Sequence, residues 1–286
     1  MSGHPIAVIT DSTCDIPSPY LEQYQIYVAP QYVIWGTESF RDMVDMSPEE
    51  FYARLTRDSV HPKSSQPVVK DFLHCLEQAK EAGAQEAVII TISNQLSGTV
   101  KSAQQAADLV EMPVHVVDSF SASMGLGFQV LAAARAREAG GGAQDMVDAA
   151  DRVRRTIQVT FSVDTLDYLH RGGRIGGAAR LVGTALQLKP QLYVDHSTGR
   201  VEPGERTRTR KRALERMVQI LRNQMDLTKP VRIAVVHCAV EEEALAMRDR
   251  IEQEFQPVEL VVTHVTPVIG THTGPGALGL IGYYED

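Results

Sequence analysis

Four short segments concentrate side chains that can hold or position an anion. Lys63-Ser64-Ser65-Gln66-Pro67 stands just before a helix predicted over 68–82, and its serines can either cap that helix or offer hydroxyls to a ligand. Ser93-Asn94-Gln95-Leu96-Ser97-Gly98-Thr99 lies between an apolar run and a second helix. There Ser97, with the free N–H groups of the first turn, can form an oxyanion nest or act as a plain N-cap. Leu169-His170-Arg171-Gly172-Gly173-Arg174-Ile175-Gly176-Gly177 sets two arginines among four glycines. Glycine allows close backbone approach and guanidinium forks suit phosphate or carboxylate, the plain alternative being a solvated loop. Gly270-Thr271-His272-Thr273-Gly274-Pro275-Gly276 reads as a glycine-bounded loop on which His272 can donate to, or take a proton from, a bound group.

Several chemistries lack their residues. Neither G-x-G-x-x-G after the first strand nor G-x-x-x-x-G-K-[ST] occurs, so no dinucleotide or nucleotide phosphate loop is expected. The absence of G-x-S-x-G weakens a hydrolase reading, and no histidine pair has metal-ligand spacing, so no metal is expected. Cys14, Cys75 and Cys238 are too scattered for a zinc ribbon or disulfide scaffold and read as reduced, semi-buried thiols. Arg206, Arg208, Arg210, Lys211 and Arg212 crowd the start of a helix, either as a solvated face or as a surface for an acidic partner. A net charge of −8 argues against nucleic acid as that partner.

The elements that position these segments follow from periodicity. Apolar runs at 6–10, 87–92 and 114–118 alternate with helical spacing at Val69, Phe72, Leu73, Leu76 and Ala79, and at Val100, Ala103, Ala107 and Val110. A capping box, Ser47-x-x-Glu50, opens another helix. Fully apolar strands between amphipathic helices imply a mainly parallel, doubly wound-like sheet, with ligand groups on loops beyond the strands' carboxyl ends. After the glycines at 140–142 and a helix around 144–155, strand-like runs recur at 157–164, 191–195, 231–237 and 258–265 and in the final ALGLIGYY. The expectation is two α/β domains, 1–155 and 156–286.

With 286 residues, 43% of them hydrophobic, the chain can bury a large core, which excludes disorder. No run approaches the roughly eighteen apolar residues of a membrane span. MSGHPIAVIT passes directly into a strand without the features of a signal peptide, so a cytoplasmic location is expected.

Taken in order, ITDSTCDIP at 9–17, KSSQP at 63–67, SNQLSGTVKSA at 93–103, VVDSFSASMGLG at 116–127, LHRGGRIGG at 169–177, RTRTRKRALE at 206–215 and GTHTGPGALGL at 270–280 resemble the DegV family. These are bacterial fatty acid-binding proteins that serve a separate fatty acid kinase. The resemblance covers nearly the whole chain. It implies a lipid-binding protein, not an enzyme, that holds one long-chain fatty acid between its domains without any cofactor. It further implies that Ser64, Ser97 and His272 bind the carboxylate, Ser64 standing where the family more often has threonine, and that Arg174, with Arg171 as second choice, serves the kinase. The alternative is a hydrolase or kinase of a small carboxylate or phosphate ligand using Ser97 and His272 as nucleophile and base.

Overall fold

The computed structural model describes residues 4–182 and 189–285. Its first sheet has four parallel strands in the order Ile26–Ala29, Ile6–Asp11, Glu86–Thr91 and Val114–Asp118. Successive strand side chains point to opposite faces, and both faces here are apolar. Ala7, Ile9, Ala87 and Ile89 meet Phe72, Leu76, Ala103 and Ala106 of the helices Val69–Glu81 and Thr99–Ala107. Val8, Val88 and Ile90 point the other way, into a core shared with the rest of the molecule.

The second sheet has six strands in the order Val201–Thr207, Lys189–Val194, Gln158–Ser162, Leu278–Tyr284, Val231–His237 and Glu259–His264. Every neighbouring pair is antiparallel except the last. The same alternation divides it: Ile233, Val235 and Leu280 pack on Met217, Leu221 and Ile251 of the helices Arg210–Gln224 and Glu241–Phe255. Ala234, Val236 and Ile281 join the shared core. The helices Met124–Glu138 and Ala143–Thr156 fill the space between the sheets, each touching strands of both. Phe128 meets Tyr283 edge-on at 5.2 Å between ring centroids.

A third, antiparallel sheet, Glu38–Arg41, Tyr32–Trp35 and Lys63–Ser65, encloses the helix Pro48–Leu55 in sequence. That helix starts with the expected capping box, Ser47 and Glu50 each satisfying the other's backbone N–H. This excursion leans on the short helix Pro267–Thr273 of the second half, which brings together segments about two hundred residues apart. Among the described residues no helix is long and apolar enough to cross a membrane. All three cysteines are free and buried, deeper than the semi-buried setting expected of them.

The central helix tolerates little extra volume. A Cβ added at Gly127 would lie 2.5 Å from the Cys14 carbonyl oxygen, a backbone atom, and 3.0 Å from Ile16 Cγ1. Alanine favours an ordinary helix interior over glycine by about 1 kcal/mol. Here the steric cost exceeds that gain, so Gly127→Ala is expected to destabilise the protein by about 1–3 kcal/mol. The urea unfolding midpoint reads this directly, and an unchanged or raised midpoint would show that the helix moves away from Cys14 without penalty.

Candidate functional site

A cavity of about 340 Å³ opens where the third sheet, the Ser93–Thr99 loop and the inner face of the second sheet converge on the helix Pro267–Thr273. Its walls are divided by chemistry. Val159, Phe161, Val236 and Ile281 from the second sheet, with Ile92, Val268 and Ile269, make an apolar body. Ser64, Ser97, Arg174 and His272 all reach the same cavity, together with Thr13, Gln31 and Gln66.

Neither serine caps a helix. Ser64 lies in a strand, opposite Val33, and the helix at Val69 takes its cap from Asp71, which accepts the Val68 N–H at 2.8 Å. The helix at Thr99 has no side-chain cap, and Ser97 Oγ instead sits 2.8 Å from Thr99 Oγ1. Both hydroxyls are thus free of the structural duty that competes with ligand contact. His272 belongs to the last turn of Pro267–Thr273, not to a loop as its glycine-rich surroundings suggest. Pro267 starts this helix, and Gly274, at φ 71°, ends it.

His272 Nε2 lies 2.7 Å from Ser64 Oγ, while its Nδ1 has no hydrogen-bond partner among the described residues. The ring lies against Gly172, where any Cβ would fall 2.0 Å from Nδ1. Burial pushes the His272 pKa down to about 4, and the nearby positive charge of Arg174 adds to the effect. The imidazole is therefore neutral at pH 7. The Ser97–His272 pair required by the hydrolase alternative is not formed: His272 bonds Ser64, and Ser97 bonds Thr99. Among the described residues no carboxylate orients His272, and such a weak base is poorly matched to proton abstraction near neutrality.

Arg174 stands at the rim. Its Nε donates to the Leu96 carbonyl at 2.9 Å and its Nη1 to the Gly172 carbonyl at 2.7 Å, tying the glycine-rich segment to the Ser97 loop. Arg171 does not reach the cavity; it ends the helix Asp167–Arg171 and its guanidinium meets His61. Arg210 of the basic cluster pairs with Glu243 at 2.7 Å. Among the described residues no three metal-ligating side chains converge.

Sequence reasoning missed the groups behind this site. Thr13 and Gln31 reach the cavity while contacting the buried carboxylate of Asp11. Asp15 accepts the Thr266 N–H at 3.0 Å, and Asp42 accepts the Val268 N–H at 3.1 Å and the Ser12 hydroxyl at 2.6 Å. The His272 helix is thus held at its N-terminus by two carboxyl groups from the other half of the chain. The run ITDSTCDIP carried a visible signal for this, with two aspartates and three hydroxyl side chains directly after an apolar strand, whereas Gln31 and Asp42 carried none.

A family model described as "Uncharacterised protein, DegV family" matches residues 5–285. A DegV domain-containing protein of Streptomyces coelicolor is 38% identical over 282 residues, which cover 98% of this chain and 99% of that one. The solved structure of a fatty acid-binding DegV family protein from Thermus thermophilus superimposes with a TM-score of 0.92 at 35% identity, covering 98% of this chain and 100% of that one. A stearic acid-binding protein from Eubacterium ventriosum superimposes with a TM-score of 0.89 at 26% identity, covering 98% of each chain.

The buried carboxyls make stability depend on pH. Burial raises Asp42 from 3.8 to about 7, against the opposing hydrogen bonds from Ser12 and Val268, and Asp15 also to about 7. A raised carboxyl pKa means that the folded state favours the neutral form. Its contribution is complete below about pH 4 and is lost as pH rises through about 7. Asp42→Asn fixes a neutral group that still accepts from Val268. Between pH 5 and pH 8 its unfolding free energy is expected to fall less than that of the unmodified protein, by on the order of 1–3 kcal/mol. Urea titrations at the two pH values measure the difference, and an equal or steeper fall in the variant would show that Asp42 is ionised throughout.

Proposed function

The chain belongs to the DegV family, and we propose that it binds one long-chain fatty acid between its two domains, 1–155 and 156–286, and presents the carboxylate to a separate fatty acid kinase in the cytoplasm. The observation that carries this reading is one cavity whose lining sets apolar side chains of the second sheet beside a polar group that includes Ser64, Ser97 and His272. An amphiphile with one small acidic head fits that division. Two relatives with solved structures bind fatty acids, stearic acid in one case.

Energetics assign the roles. About fifteen methylenes at roughly 0.8 kcal/mol each give a gross burial on the order of 10 kcal/mol, against about 1.5–3 kcal/mol for a hydrogen bond to a charged group. The tail supplies affinity, and the hydroxyls and neutral imidazole fix where the carboxylate points. With no nucleotide loop in the chain, the phosphoryl donor and its metal come with the kinase. The product is an acyl phosphate, a mixed anhydride that an enclosed pocket protects from water.

Two measurements test this. Lipid extraction and mass spectrometry of the natively purified protein should find about one long-chain fatty acid per chain. Absence of lipid, combined with no uptake of added acid, would remove the reading altogether. Arg174→Ala should retain lipid and melt within a few degrees of the unmodified protein, since only two rim hydrogen bonds are lost. Acyl phosphate formation with the cognate kinase should nevertheless fall steeply, and normal turnover would show that Arg174 serves only to join its two loops.

A further inference from the structure

A directed chain of hydrogen bonds runs from the buried Asp11 to the polar end of the cavity. Asp11 is fully buried and surrounded by donors: the Thr13 amide at 3.1 Å, the Thr13 hydroxyl, the Ile92 amide at 2.8 Å and Gln31 Nε2 at 2.9 Å. Burial raises the Asp11 pKa, but its Oδ1 already accepts from the Thr13 amide and hydroxyl, so the Gln31 amide turns its NH₂ toward it; the opposite flip would set two oxygens against each other. The same nitrogen lies 3.4 Å from Thr99 Oγ1 and supplies its second proton there. Thr99 is fully buried, and the one acceptor within reach of its own proton among the described residues is Ser97 Oγ at 2.8 Å. Leaving that proton unpaired would cost the desolvation of a buried donor. Thr99 therefore donates to Ser97, and the Ser97 proton is left facing the cavity.

We propose that Gln31, oriented by Asp11, is a positioning residue that sets the direction of the chain Asp11–Gln31–Thr99–Ser97, so that Ser97 offers a donor and the cavity selects the ionised form of a carboxylic acid. The assignment rests on the fatty acid reading and specifies the protonation state in which the acid is held. The other groups facing this end are Arg174, which favours the anion, and His272 and Cys238, both neutral near pH 7. None of these fixes the direction of the Ser97 hydroxyl.

The chain can be reversed with little change of shape. In Gln31→Glu an oxygen replaces Nε2, shares a proton with Asp11 and has only a lone pair for Thr99. Thr99 then donates to it and accepts from Ser97, which presents a lone pair to the ligand. Adding Thr99→Val cuts the chain and frees Ser97 to donate again.

The probe is [1-¹³C]palmitate, whose carboxyl resonance reports its ionisation. In the unmodified protein the bound resonance is expected to be that of the carboxylate at pH 7. Gln31→Glu should raise the bound titration midpoint by about one pH unit or more and weaken binding at pH 8 about tenfold. The Gln31→Glu, Thr99→Val double variant should recover most of that shift, which separates a hydrogen-bond chain from the field of an added acid. A neutral-acid signal at pH 7 in the unmodified protein overturns the proposal without any variant, even if Gln31→Glu fails to fold. A single variant that titrates normally, or a shift that survives in the double variant, overturns it too and leaves fatty acid binding standing. No bound palmitate signal in the unmodified protein overturns the fatty acid reading and this assignment with it.

Discussion

Two carboxyl groups, Asp15 and Asp42, accept the first free N–H groups of the helix Pro267–Thr273, and the geometry of the site depends on that contact. A helix of seven residues has no stability of its own. The N–H of its N-cap Thr266 and that of Val268 are taken by side chains from the first fifty residues, so the helix forms where the two halves of the molecule meet. The helix also carries Val268, Ile269 and His272, which contribute to both the apolar and polar walls of the cavity. One interaction thus holds the halves together and aims the imidazole.

The layered core accounts for where space is left. Each sheet gives one face to its own outer helices and the other to the shared core, which the helix Met124–Glu138 fills between them. Filling stops where that helix gives way to the loops at the carboxyl ends of the first sheet, where doubly wound sheets generally hold their ligands. Glycine keeps the remaining space open. A Cβ at Gly279 would lie 2.8 Å from Val236 Cγ2, and one at Gly172 would collide with the His272 ring.

Much of this was legible in the sequence, and the gaps have physical causes. Strands with two buried faces and helices with one apolar stripe, such as Ile6–Asp11 and Val69–Glu81, reveal themselves by periodicity. Met124–Glu138 does not: it is buried on nearly every side, so its composition has no stripe to find. The third sheet escaped because its strands have only three or four residues and Lys63–Ser65 has no buried position at all. The His272 helix was marked by Pro267 and Gly274, but its shortness and its threonines read as a loop. Ser64, Ser97, Arg174 and His272 do converge on one cavity, whereas Arg171, three residues from Arg174, ends a helix that directs it elsewhere. Proximity in a motif says little about direction when a helix terminus intervenes.

The polar end is also informative for the charges it leaves out. A protonated histidine against a bound carboxylate would make a desolvated ion pair, whose partners are costly to separate once formed. Burial keeps the His272 imidazole neutral, and Arg174, the one formal cation among the lining residues, is held at the rim by two backbone carbonyls. On the proposed reading, a head group on Ser64, Ser97 and a neutral His272 would be oriented by directional bonds of modest strength, with long-range attraction reserved for the mouth. On the proposed carrier reading, that arrangement would let the tail retain the ligand while the carboxylate stayed reactive, because no buried cation among the described lining residues would compete for the oxygen that must be transferred to.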